Sequence, residues 1–233
     1  MNLDIVDVSK FKAHSGSAPR YRNRNKLLPS WCFNMIICGK TGSGKSFLVL
    51  NLIYKMLAYD KLYFYSRHLN QPTIKTMIEF FEKVKEKTGD DILYTADNLD
   101  DIVPMEELDP NCQNLIIWDD FIMDKQFHKV SDFLVSSRHK SASNIVLSQH
   151  YIRIPRTARL NCHYFAFYNV GNKRELSLLY GEVGQGCKDR DDFMRRFKKA
   201  TKDKYSFFFV DTKTKIPQLQ YRKNFNQVEF QVE

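Results

Sequence analysis

No two cysteines of this sequence stand in C-x-x-C spacing. The five, Cys32, Cys38, Cys112, Cys162 and Cys187, are scattered and odd in number. A disulfide framework is not expected. Nor is a structural zinc site, because Cys162-His163 has no second pair to complete four ligands. Most of these thiols have apolar or aromatic neighbours, the setting of reduced, partly buried cysteines in an intracellular protein. No apolar run reaches the ~18 residues needed to span a bilayer, so no membrane association is expected. The opening MNLDIVDVSK carries two aspartates and no basic region ahead of a long apolar segment, so no secretory signal is expected either. Repeats and low-complexity tracts are absent, and no Ser/His/Asp or Cys/His arrangement makes a case for nucleophilic catalysis.

What remains is a chain able to fold. Its 233 residues are 43% hydrophobic and 14% aromatic, enough to fill the core of one large domain. The net charge of +9 is compatible with a polyanionic partner and equally with a merely basic surface. Residues 1–30 read as a basic arm, with Arg20, Arg22 and Arg24 alternating; it could touch nucleic acid or a neighbouring subunit, or be a solvated tail. Residues 31–210 read as the folded domain and 211–233 as a C-terminal extension.

Apolar runs predict strands at 33–38, 61–66, 91–96, 114–118, 144–148, 163–168 and 205–210. Helical spacing predicts helices at 45–58, 71–87, 125–136, 174–180 and 191–199. Strands alternating with helices imply an α/β domain with a largely parallel sheet.

One stretch carries chemistry. Gly39-Lys40-Thr41-Gly42-Ser43-Gly44-Lys45-Ser46 fits G-x-x-x-x-G-K-[ST], with a strand before it and a helix after it. Glycines let successive N–H groups converge on one anion, and the helix N-terminus adds its own N–H groups and dipole. Lys45 is expected to reach the β- and γ-phosphates of ATP, Ser46 to ligate Mg²⁺, and Phe47 to adjoin the bound nucleotide. The apolar strand Leu115-Ile116-Ile117-Trp118 ends in two carboxylates, Asp119 for the Mg²⁺ side and Asp120 as general base for water. Aspartate is shorter than the glutamate common in such ATPases, so the water must approach closer or another residue must help. Gln149 ends a third strand and is a candidate to hydrogen-bond the γ-phosphate or the water. Arg138 is one candidate to reach a neighbour's γ-phosphate, and Arg156 and Arg159 compete with it. His139, His150 and His163 read as structural.

The runs GKTGSGKS, LIIWDDF and SSRHKSASNIVLSQHYIRIPRTARLN, in this order, closely resemble the genome-packaging ATPases of large double-stranded DNA viruses, poxvirus and virophage types included. That family belongs to the FtsK–HerA group of P-loop ATPases. The resemblance covers about residues 33–168. It implies a RecA-like (ASCE-type) core with the Gln149 strand between the loop strand and the Asp119 strand. It further implies ATP hydrolysis coupled to driving viral DNA into a preformed capsid. A homo-oligomeric ring, a capsid or vertex partner, Arg138 acting in trans, and a place in the host cytoplasm (virus factory) or the virion also follow from it. Two rival readings stand beside it: a P-loop kinase for a small acceptor, and a nucleotide-dependent switch or scaffold with little turnover.

Overall fold

The structure, a computed structural model, describes residues 25–170 and 172–226. Arg20, Arg22 and Arg24 of the basic arm, and residues 227–233 of the tail, lie outside the described residues.

Eight strands build one sheet: β1 (Asn34–Cys38), β2 (Lys61–Ser66), β3 (Leu93–Ala96), β4 (Asn114–Asp119), β5 (Ala142–Ser148), β6 (Tyr164–Phe167), β7 (Phe208–Asp211) and β8 (Tyr221–Lys223). Their order is β3-β2-β4-β5-β1-β6-β7-β8. The first six run parallel, and β7 and β8 pair antiparallel at one edge. As predicted, β5 lies between β1 and β4.

The central strands are apolar on both faces because both faces are covered, the usual condition of a parallel sheet. Side chains alternate between faces. Met35, Ile37, Phe64, Ile117 and Leu147 point to one side, where helices α1 (Lys45–Asn51) and α2 (Pro72–Thr88) pack. Ile36, Tyr65, Ile116, Trp118 and Val146 point to the other, covered by α3 (Phe127–Ser136), α4 (Arg156–Leu160), α5 (Lys173–Val183) and α6 (Arg190–Ala200). Helix α2 illustrates the local logic. Pro72 opens it at a position that needs no N–H donor, Ile74, Met77, Phe81 and Val84 bury one face, and Gly89 at φ 75° ends it.

Two expectations are revised, and one helix is added. The helix after the glycine loop stops at Asn51 and continues as one π-helical turn, Leu52–Met56, rather than running to residue 58. The arginine-rich stretch after Gln149 contains the short helix α4. The chain beyond residue 210 does not stand apart: β7 ends at Asp211, and β8, preceded by the helical turn α7 (Pro217–Gln220), completes the sheet. Short, polar-interrupted strands such as β8 carry too little alternation to be read without their partner.

Candidate functional site

In a parallel sheet, strand ends align along one edge. Register brings Cys38 level with Ser148, Asp119 level with Leu147, and Ser66 level with Asp119. The loop after β1, the carboxylates at the end of β4 and Gln149 after β5 therefore share one cleft of about 520 Å³, with Lys45, Ser46, Phe47, Asp119, Asp120 and Gln149 in its wall.

The loop has the conformation that an anion cradle requires. Gly42 at φ 75° and Gly44 at φ 105° occupy the left-handed region, where a side chain is strained. A Cβ on Gly39 would fall 2.6 Å from that of Tyr168, so only glycine lets the loop leave the sheet there. The Lys45 ammonium donates to the Gly39 and Lys40 carbonyls at 2.6 and 3.1 Å, and burial pulls its pKa below the ordinary lysine range. Its hydrogen bonds hold it to loop carbonyls and not to a carboxylate. The buried Ser43 hydroxyl has no hydrogen-bond partner among the described residues. A desolvated ammonium and an unsatisfied hydroxyl beside converging N–H groups fit a polyphosphate.

Opposite stand the two aspartates. Asp119 is raised in pKa, chiefly by burial and also by Asp120, against the lowering effect of the Ser66 hydroxyl, which donates to its Oδ2 at 2.9 Å. Asp120 sits at φ 64°, a left-handed geometry that Asp adopts more readily than most residues. Its Oδ2 lies 3.1 Å from His68 Nε2. Gln149 accepts a hydrogen bond from the Thr41 hydroxyl at 3.2 Å, which ties the end of β5 to the loop. Ser66 and His68 were not singled out in the sequence; the signal available was a polar Ser-Arg-His step directly after the strand KLYFYS.

A second cleft, about 510 Å³, adjoins the first and shares Gly44 and Phe47 with it. Its wall is aromatic: Tyr168, whose hydroxyl donates to the Gly44 carbonyl at 3.2 Å, Tyr205 at φ 65°, Phe207 and Phe225. Phe47 and Tyr205 are both 57% exposed at its mouth.

The structure separates the three candidate arginines. Arg159 is 8% exposed and locked in place. Its guanidinium donates to the two Glu182 oxygens at 2.7 and 2.9 Å and to the Ile154 carbonyl, while Tyr151 donates to Glu182 at 2.7 Å. These contacts tie Arg159 into the fold of its own subunit. Burial tends to raise the Glu182 pKa, but the Arg159 and Tyr151 hydrogen bonds outweigh it and hold the group below the usual carboxylate range. Such a group stabilises the fold above the ordinary carboxylate pKa, and that contribution fades as pH falls through the lowered value. Arg159→Ala therefore loses about 3 kcal/mol at neutral pH, with the deficit shrinking in acid, as denaturant unfolding will measure. Arg156 is exposed at the start of α4, near Glu182.

Arg138 is exposed on the 3-10 turn Ser137–Lys140, just before β5. That turn is anchored through buried Asn144, whose amide donates to Ser137 Oγ and Asn34 Oδ1, both at 2.9 Å. The seven residues of β5 set it ~23 Å from the phosphate edge, so Arg138 does not meet its own subunit's cleft.

Fold and cleft define a P-loop ATPase with an additional strand between the phosphate-loop strand and the strand of the paired carboxylates. The family follows from comparison: the model of the poxvirus A32 protein matches residues 20–213, and the chain belongs to that family. The resemblance to viral genome-packaging ATPases is thereby borne out. Among solved structures, the chain is similar to B204, the DNA-packaging ATPase from Sulfolobus turreted icosahedral virus. The identity is 13% and the TM-score 0.52, covering 79% of this chain and 94% of that one. The genome packaging NTPase B204 of Sulfolobus turreted icosahedral virus 2, in complex with AMP, matches at 13% identity and TM-score 0.52, covering 82% and 96%. At such identity the likeness is one of fold. No curated protein matches by sequence. No described helix is long and apolar enough to cross a membrane.

Proposed function

We propose that this protein hydrolyses ATP to drive double-stranded DNA into a viral capsid, working as a ring of identical subunits. The observation that carries the reading is the facing of a half-buried Lys45, bonded to loop carbonyls in a glycine cradle, against Asp119 and Asp120 across one cleft. The backbone N–H groups of residues 39–46 and Lys45 would hold the phosphates. Ser46 and Asp119 would hold Mg²⁺, which when bound neutralises charge on the phosphoryl oxygens. Asp120 accepts the proton of the attacking water, and Gln149, tied to Thr41, orients that water or the γ-phosphate. A paired carboxylate aimed at the cleft favours water over a sugar hydroxyl as acceptor.

The remaining parts of the reading rest on charge and topology. Six basic residues stand against a single acid over 195–204, at the end of α6 beside β7 and β8. They suit a phosphate backbone followed without base readout. Six acids and no base fill 97–109, the segment after β3 that crosses the sheet face by β2 and reaches α3 and the turn Ser137–Lys140. Opposite charge on two separate surface segments favours head-to-tail contact, the kind that closes a ring. The test is steady-state ATPase with and without duplex DNA at two salt concentrations. Stimulation that salt suppresses supports the motor; phosphate on a nucleoside supports a kinase; binding without turnover supports a switch.

The nucleobase belongs in the second cleft, against Tyr205 and Phe47. Base–aromatic stacking is worth ~1–3 kcal/mol. Tyr205→Ala accordingly weakens ATP binding roughly tenfold and leaves inorganic tripolyphosphate binding unchanged, as calorimetric titration of both ligands will measure.

A further inference from the structure

We propose that His68 is a positioning residue for hydrolysis, the active arm of a three-residue clamp that closes on the paired aspartates. The inference rests on the ATPase reading of the cleft and adds to it the residue that compensates for a short general base.

Strand β2 ends at Ser66, level with Asp119 in the sheet. From there three consecutive residues all engage the end of β4 and the turn that follows it. The Ser66 hydroxyl donates to Asp119 Oδ2 at 2.9 Å. The same hydroxyl accepts the His68 backbone N–H at 3.2 Å, so one segment is tied to both carboxylates. Arg67 pairs with Asp124 and lies over the Phe121 ring, 5.6 Å from its centre. His68 turns back into the cleft, with Nε2 3.1 Å from Asp120 Oδ2, and both residues line the cleft wall.

The two side chains of that last contact are 52% and 45% exposed, so it contributes little to folding. Its consequence is orientation. Asp120 leaves the sheet with a left-handed backbone, and its carboxylate hangs on a single methylene. Without a partner, that carboxylate would rotate between solvent and cleft. With Nε2–H donating to Oδ2, the second oxygen, Oδ1, is the one left to accept a proton from water. The imidazole thus supplies what the shorter side chain lacks: a fixed aim. His68 touches neither nucleotide nor water in this scheme and acts through Asp120.

Four full-length proteins test the clamp: His68→Ala, His68→Gln, Asp120→Asn and the Ala/Asn double variant. Single-turnover ATP hydrolysis, ATP affinity and thermal melting are read for each. His68→Ala is expected to hydrolyse 10- to 100-fold more slowly, with affinity within twofold of wild type and melting unchanged. His68→Gln, which keeps an N–H donor, recovers a large part of the rate. In the Asp120→Asn background, His68→Ala costs nothing further, because the group it orients is gone. The clamp is overturned if His68→Ala turns over within twofold of wild type, if affinity falls as much as rate, or if the two losses multiply. A wild-type chain that binds ATP and never cleaves it overturns the ATPase reading and the clamp with it. An active wild type indifferent to His68 removes the clamp alone.

Discussion

Replacing Lys45 by alanine leaves a folded protein that no longer binds or hydrolyses ATP. The ammonium is half-buried, hydrogen-bonded to the Gly39 and Lys40 carbonyls, and partly desolvated, which lowers its pKa against the opposing pull of Asp119 and Asp120. Its desolvation is a cost the nucleotide-free fold carries, so Lys45→Ala melts at or above the wild-type temperature. With nucleotide the order reverses. A ligand at a hundred times its dissociation constant stabilises the wild type by about 2.7 kcal/mol, and the variant gains nothing. Turnover falls at least ~10³-fold, about 4 kcal/mol of transition-state stabilisation. Melting with and without ATP, beside a phosphate-release assay, checks both halves. A Lys45→Ala protein that ATP still stabilises would contradict the assignment of the cleft.

The second large effect is expected at Arg138, and its form matters more than its size. Because β5 separates this residue from its own phosphate edge, Arg138→Ala leaves ATP binding intact in every subunit. Hydrolysis in the assembled protein falls on the order of 10³-fold, the scale of an arginine donated in trans. Mixing Arg138→Ala with wild-type subunits then depresses activity more steeply than dilution, since each variant subunit disables its neighbour's site. Activity that tracks the wild-type fraction linearly would reject the shared site. The Ser137–Asn144–Asn34 hydrogen bonds that anchor the turn are untouched by the change, so melting stays within a degree or two. Arg156 and Arg159 give a built-in comparison. Arg159→Ala loses stability through Glu182 and shows no trans effect.

Much of the site was legible in residue order because its parts are contiguous. The loop 39–46 must contain its glycines, lysine and serine in a fixed spacing to wrap an anion, and a strand ending in Asp119-Asp120 is one unbroken segment. Both were found where expected. Gln149 was recognised on the same ground, as the polar end of an apolar strand. Ser66 and His68 were passed over because nothing in their own neighbourhood marks them. Their significance is the carboxylate that β2 pairing brings to them, 53 and 52 positions away. Arg159 stayed among three candidates for a similar reason. A basic residue in a basic stretch reads as exposed until Glu182, on another helix, is seen to hold it. The aromatic cleft beside Gly44 escaped because it gathers Tyr168, Tyr205 and Phe225 from three separate parts of the chain.

The sequence alone determined the class of fold, the anion-binding loop and the family, since each depends on local spacing and on alternation along a strand. Tertiary structure decided which arginine is locked in an ion pair and which is exposed at the end of β5 away from the phosphate edge. It also brought the turn after β2 against the aspartates. Those are matters of strand order and register, and hydrogen bonds between segments dozens of residues apart leave no period in the chain that makes them.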